Sequence, residues 1–178
     1  MTLFDLAKAE LIRSNADRRH PFRYLSLATH GEYPEVRTVV KRKTTPELDT
    51  IIFTDRRSPK VAQIRKNNKV SILFYHSKKK LQIRINGEAL LIEDGHVDYE
   101  QYFEQVKNSA SIKDYTTRFA PGTPMEEDAK ALFDEHVHFL AIQVIPHTMD
   151  ILQLGTEKHK RSFYQLEEKV WNETKLTP

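Results

Sequence analysis

The chain has 178 residues, 39% hydrophobic and 30% charged, with a formal net charge of +3. This balance describes a globular chain able to bury its own core and excludes an intrinsically disordered one. The absence of cysteine excludes disulfides, thiolate catalysis and cysteine-ligated metals, and no apolar run reaches the ~18 residues of a membrane span.

The first ten residues are amphipathic and mixed in charge, unlike a signal peptide, so the cytoplasm is the expected compartment. Phe4, Ala7 and Leu11 recur at helical spacing, and Leu3, Leu6 and Ala9 widen the apolar face, which predicts a helix over about 3–17. Pro21 disfavours helix at His20 and closes it. Phe22 to Thr29 reads as a strand and Gly31 to Pro34 as a turn. Glu35 to Lys43 alternates. Val36, Thr38 and Val40 face one way; Arg37, Val39 and Lys41 face the other, which puts charge on a buryable face. Thr44 to Asp49 turns, and Thr50 to Thr54 is the hairpin partner.

Ser58-Pro59 starts a short helix, with Ser as cap and Pro at the first helical position. Val61 and Ile64 anchor it, and Asn67-Asn68 ends it. Val70 to His76 and Leu81 to Ile92 are strands joined by a turn at Ser77 to Lys79. Gly87 inside the second marks a bulge or a close backbone approach. Val97 to Lys107 is helical, Ser109 to Glu127 irregular, and Ala129 to Glu135 helical again. His138 to Ile145, Asp150 to Leu154, Arg161 to Leu166 and Lys169 to Asn172 are strands. Hairpin order with inserted helices predicts one mainly β domain over 1–178, a barrel with added helices rather than a doubly wound sheet.

Several groups carry chemistry. Ser58 begins a helix whose free backbone N–H groups attract an anion, while Lys60 in the first turn opposes the helix dipole. A bound anion removes that conflict, and Arg37 offers it a planar fork from a neighbouring strand. The same residues also suit a plain N-cap and two solvated cations. Gln82 and Arg84 share a strand face; Gln82 both donates and accepts, as a heteroaromatic edge requires, although an exposed polar face reads the same way. His136 and His138 share a face, but no carboxylate stands near them at ligand spacing, so no metal site is assigned. Lys78-Lys79-Lys80, with Tyr75 and Arg84, has the make-up of a single-stranded RNA grip, though a lysine-rich hairpin turn is more often solvated. A dinucleotide fingerprint, a P-loop and a nucleophile elbow are all missing from the sequence.

Taken in order, Arg37-Thr-Val-Val-Lys-Arg42, Phe53-Thr54, Ser58-Pro-Lys60, Asn68 to Phe74, Gln82 to Gly87, Arg161 to Tyr164 and Trp171 to Pro178 resemble the pyridoxamine 5'-phosphate oxidase-like, FMN-binding split β-barrel family. The resemblance implies a homodimer with FMN at the subunit interface. It implies that Arg37 and Lys60 hold the phosphate with help from Ser58, and that Thr38, Val39 and Val40 line the cofactor. Phe53 and Thr54 would flank it, Arg42 would serve a phosphate, Gln82 would address the ring, and Arg161 would approach it.

Departures concern the substrate. Leu152 stands where the oxidases carry Trp, Val106 and Ala110 stand where they carry Arg and Ser beyond Tyr102, and Glu157 precedes His159 in place of Arg. Losing an Arg clamp removes charge-assisted bonds to a substrate phosphate, which points away from pyridoxine phosphate. The expected function is FMN-dependent oxidation or reduction of another small molecule. An FMN carrier or sensor, a nucleic-acid-binding barrel, and a deazaflavin or haem ligand are the alternatives.

Overall fold

The computed structural model describes residues 1–125 and 130–178. Eight strands form one antiparallel sheet: β1 (Tyr24–His30), β2 (Pro34–Thr44), β3 (Thr50–Asp55), β4 (Lys69–His76), β5 (Leu81–Ile92), β6 (Phe139–Gln153), β7 (Lys160–Glu167) and β8 (Val170–Leu176). Their spatial order is β3-β2-β1-β4-β5-β6-β7-β8, and β3 also pairs with β6. That extra pairing closes six strands into a barrel, while β7 and β8 extend from the second half of β6. Among the described residues three α-helices are added: α1 (Leu3–Arg13), α2 (Pro59–Lys66) and α3 (Tyr99–Lys107). The expectation of a mainly β split barrel with added helices holds.

Alternation along the strands fills the barrel. Leu27, Ile72, Ile85 and Met149 are successive partners across β1, β4, β5 and β6, and all are buried. A second apolar cluster lies outside the barrel wall, where Tyr99, Tyr102 and Val106 of α3 pack on Ile51, Ile92, Phe139 and Ala141.

Several expectations are corrected. The first helix ends at Arg13 rather than near residue 17. The Ser14 hydroxyl bonds to the Leu11 carbonyl, and the Asn15 side chain turns away to the Thr44 backbone. Val97 lies outside α3 and is exposed. The helix expected from Ala129 to Glu135 is not formed over 130–135, where Phe133 instead bridges Thr117 (Ala129 lies outside the described residues). His136 and His138 precede β6 and do not share a strand face.

The segments from His138 to Ile145 and Asp150 to Leu154 are one continuous strand that runs through Pro146. Proline has no N–H for a ladder, and the β5–β6 register slips between Asn86 and Gly87, opposite Pro146. A Cβ on Gly87 would lie 2.0 Å from the Ile145 carbonyl oxygen, so the close approach read from this glycine is real.

Candidate functional site

The site begins with two cations on different elements. Arg37 shares its row with Leu27, which turns its side chain to the inner face of the sheet, towards α2. Its guanidinium donates to the Leu27 carbonyl, the Thr29 hydroxyl and Gln63 of α2, and pairs with Glu35 at 2.9 Å. Lys60, in the first turn of α2, donates to Thr54 Oγ1 at 3.0 Å and Ser58 Oγ at 3.1 Å. Among the described residues no carboxylate lies within 4.0 Å of the Lys60 ammonium. Burial and the nearby Arg37 charge lower the Lys60 pKa, with Asp55 opposing them.

Ser58 occupies the N-cap position of α2, yet its side chain makes no capping bond. Its hydroxyl faces Thr54 and Lys60 instead. Lone-pair and donor groups of Thr54, Ser58, Lys60 and Arg37 therefore converge beside a helix start, the arrangement that receives a phosphate. Val39 lies on the same inner face and packs on the core.

The remaining predicted residues lie on the opposite face. Thr38 and Val40 point outward between their inward neighbours. Phe53 stacks edge-on against Phe139 at 5.0 Å, away from Thr54, and the Arg42 guanidinium lies 5.3 Å over its ring. Arg42 Nε is buried with no partner among the described residues. Gln82 is partnered by Leu152, and Leu152 by Arg161, which sets all three on the outer face. Arg161 and Arg84 share the buried Asp150: Arg161 binds both of its oxygens at 3.1 and 2.9 Å, and Arg84 binds Oδ2 at 2.6 Å. Arg161, then Arg84, outweigh burial and hold the Asp150 carboxyl below its ordinary range.

One chain thus carries two separated groups. Thr38 and Asp150 lie at opposite ends of one outer row through Ser26, Leu73 and Arg84. Arg37 and Lys60 lie on the other face altogether.

Sequence reasoning missed Thr29, Glu35 and Gln63 around Arg37, and Asp150 between the arginines. Asp150 had a legible signal: a carboxylate alternating outward in an apolar strand, two residues before Leu152. Val106 is buried in the cluster that α3 forms on the barrel wall, so it presents nothing to a ligand. Among the described residues no helix is long and apolar enough to cross a membrane.

Residues 6–93 match the sequence model of the pyridoxamine 5'-phosphate oxidase, FMN-binding domain. No curated protein matches the chain. Among solved structures, a pyridoxamine 5'-phosphate oxidase-related, FMN binding protein from Nostoc punctiforme is 24% identical, covers 100% of this chain and 99% of its own, and superposes with a TM-score of 0.80. PhzG from Burkholderia lata, solved with tetrahydrophenazine-1-carboxylic acid, is 20% identical over 98% of this chain and 92% of its own, with a TM-score of 0.74. General Stress Protein 26 from Bacillus anthracis is 18% identical over 83% and 98%, with a TM-score of 0.54. These likenesses agree with the split barrel, and through residues 6–93 the chain belongs to the pyridoxamine 5'-phosphate oxidase-like FMN-binding domain family.

Proposed function

We propose that the protein, one domain over 1–178, is an FMN-dependent oxidoreductase acting on a small molecule. The observation that carries this reading is the Lys60 ammonium, half-buried between two hydroxyls, beside Arg37 and without a carboxylate of its own. A cation so placed is stabilised by an incoming phosphate. Arg37 and Lys60 would hold that phosphate with Thr54 and Ser58, and Arg37 would exchange its half-exposed partner Glu35 for it. The unpartnered Arg42 Nε offers a further donor on the outer face, apart from Arg37 and Lys60.

The split of the site between two faces supports a homodimer. A second copy would supply Gln82 and Arg161 from its own outer face, where the exposed Tyr24, Val36 and Tyr75 offer an apolar surface for docking. When bound, FMN supplies two-electron redox chemistry; the protein contributes position and charge. Arg161, fixed by Asp150, would place positive charge beside the ring, and Gln82 would offer both a donor and an acceptor.

The second reading is an FMN carrier without turnover, favoured by Leu152 and buried Val106 at positions the oxidases use for substrate. An absorption spectrum before and after adding FMN tests the shared part. A two-banded flavin spectrum, with FMN released on denaturation, is expected. A protein that ignores FMN overturns both readings and advances deazaflavin, haem and nucleic acid. Turnover with a reductant and an electron acceptor then separates enzyme from carrier, and light scattering of the FMN-loaded protein tests the dimer.

A further inference from the structure

A buried polar cluster of three elements and a turn makes no bond to Arg37 or Lys60. Glu10 of α1, His20 of the segment linking α1 to β1, and His76 at the end of β4 are 4%, 5% and 8% exposed. Their ligand atoms lie within 4.8 Å of one another. His20 Nε2 is 3.1 Å from Glu10 Oε2, and His76 Nε2 is 3.7 Å from the same oxygen. Lys79, in the β4–β5 turn, pairs with Glu10 Oε1 at 2.5 Å.

The other nitrogen of each ring decides what this cluster is. The Phe22 backbone N–H donates to His20 Nδ1 at 3.1 Å, and the Lys79 backbone N–H donates to His76 Nδ1 at 3.4 Å. A backbone N–H only donates, so each Nδ1 presents its lone pair and each neutral ring carries its proton on Nε2, facing Glu10. A metal requires the reverse, a lone pair on Nε2 and a donating Nδ1–H. As built, the cluster centres on one carboxylate, hydrogen-bonded to His20 and Lys79 and in charge contact with His76 at 3.7 Å.

Each ring has only one place to put an added proton. Protonation of either ring occurs at Nδ1, directly against a backbone N–H, so the ring and the backbone must part. The charged and titratable groups facing His76 are Glu10, His20 and Lys79; those facing Glu10 are Lys79, His20 and His76. Burial pushes the His76 imidazole below its ordinary value. Burial works to raise the Glu10 carboxyl, but the bonds from Lys79 and His20 outweigh it and hold it low. Both signs agree: the His76 contribution is whole above the ordinary histidine pKa and is lost as pH falls through its folded value, and that of Glu10 follows further into acid.

Met1, Thr2, Leu3 and Leu6 at the start of the chain, with Lys79, face Arg161 across a groove of about 820 Å³. We infer that Glu10, His20, His76 and Lys79 form an acid-sensitive latch that seats α1 on the barrel and thereby sets one side of the groove holding Arg161. The latch stands apart from the flavin reading, since none of its four residues touches the phosphate group.

The test uses the whole protein. Ring ¹⁵N shifts at neutral pH are expected to show both histidines as Nε2–H tautomers. Amide exchange of α1, referenced to β5, is expected to speed up severalfold as pH falls from about 7.5 to about 5.5, through the ordinary histidine range. His76→Gln, which does not titrate, should lose that step. An Nδ1–H tautomer at either ring, an α1 protection that ignores pH, or an undiminished step in His76→Gln overturns the latch. So does protection of α1 by equimolar Zn²⁺ that disappears in His76→Gln, which would make the cluster a metal site. If His76→Gln does not fold, the tautomers and the wild-type exchange decide alone.

Discussion

Lys60 Nζ sits 3.1 Å from the hydroxyl oxygen of Ser58, the residue that should cap the helix carrying Lys60. The hydroxyl has been diverted from backbone to ammonium, and the ammonium meets hydroxyls in place of a carboxylate. Such a pairing gives up a capping bond usually worth ~0.5–2 kcal/mol. Departures of this kind from local helix rules are expected to concentrate at functional positions.

Removing either cation should weaken FMN binding. A hydrogen bond to a charged group contributes ~1.5–3 kcal/mol, so Lys60→Ala and Arg37→Ala should each raise the dissociation constant by about tenfold to hundredfold. Titration by quenching of flavin fluorescence measures this. Unchanged affinity in either variant removes that residue from the site.

Asp150→Asn should leave the arginine pair without its anchor. The Asp150 carboxyl is held low by Arg161 and Arg84, so its contribution is present above the unfolded value of ~3.9 and is lost as pH falls below it. The variant should melt below wild type at neutral pH, and the two curves should converge below about pH 4. Parallel curves across that range would show that the ion pairs contribute nothing to folding.

Lys41 predicts a pH effect of the opposite range. It is buried beneath α1, bonded to Leu11 O at 3.2 Å, Asn15 Oδ1 at 2.7 Å and Thr44 Oγ1 at 3.1 Å, and burial pushes its pKa down to about 8. The unfolded amine titrates near 10.4, so the unfolded chain binds the extra proton between those values and stability rises with pH there. Below about 8 the fold bears the full cost of burying the ammonium. Denaturant melts of wild type minus Lys41→Met should show this rise between about pH 8 and 9.5, before tyrosines ionise. A flat difference would place the amine outside the titrating set.

Gly87→Ala should distort the barrel where β5 meets Pro146. The added Cβ meets backbone at 2.0 Å, which no side-chain rotation relieves. A loss of at least ~1–3 kcal/mol is expected from overpacking, read as a lowered midpoint in urea. Retained wild-type stability would mean that the two strands separate easily at the bulge.

Much of this was legible in the chain itself. Alternation located β2 and β5, Gly87 announced a close approach, and Ser58-Pro59 announced the start of α2, because each signal is local: a period, a missing Cβ, a fixed φ. Local rules failed where a distant partner decided. Asn15 leaves the helix for Thr44, Pro146 is carried through β6 by the slip opposite it, and the stretch before His138 is spent on a bridge to Thr117 instead of a helix.

The candidate site divides in the same way. Arg37, Ser58 and Lys60 could be grouped from residue types because each is a charge or hydroxyl at an element end. The sequence determined which groups were available and on which side of each strand they point. Only the tertiary structure decided that Arg37 and Lys60 are neighbours, that Gln82 and Arg161 lie on the opposite face, and that Glu10, His20, His76 and Lys79 meet. The reason is geometric: a strand's pleat fixes up or down from sequence alone, whereas barrel closure and α1's seat bring together residues as distant in the chain as Thr50 and Val144 or Phe4 and Trp171.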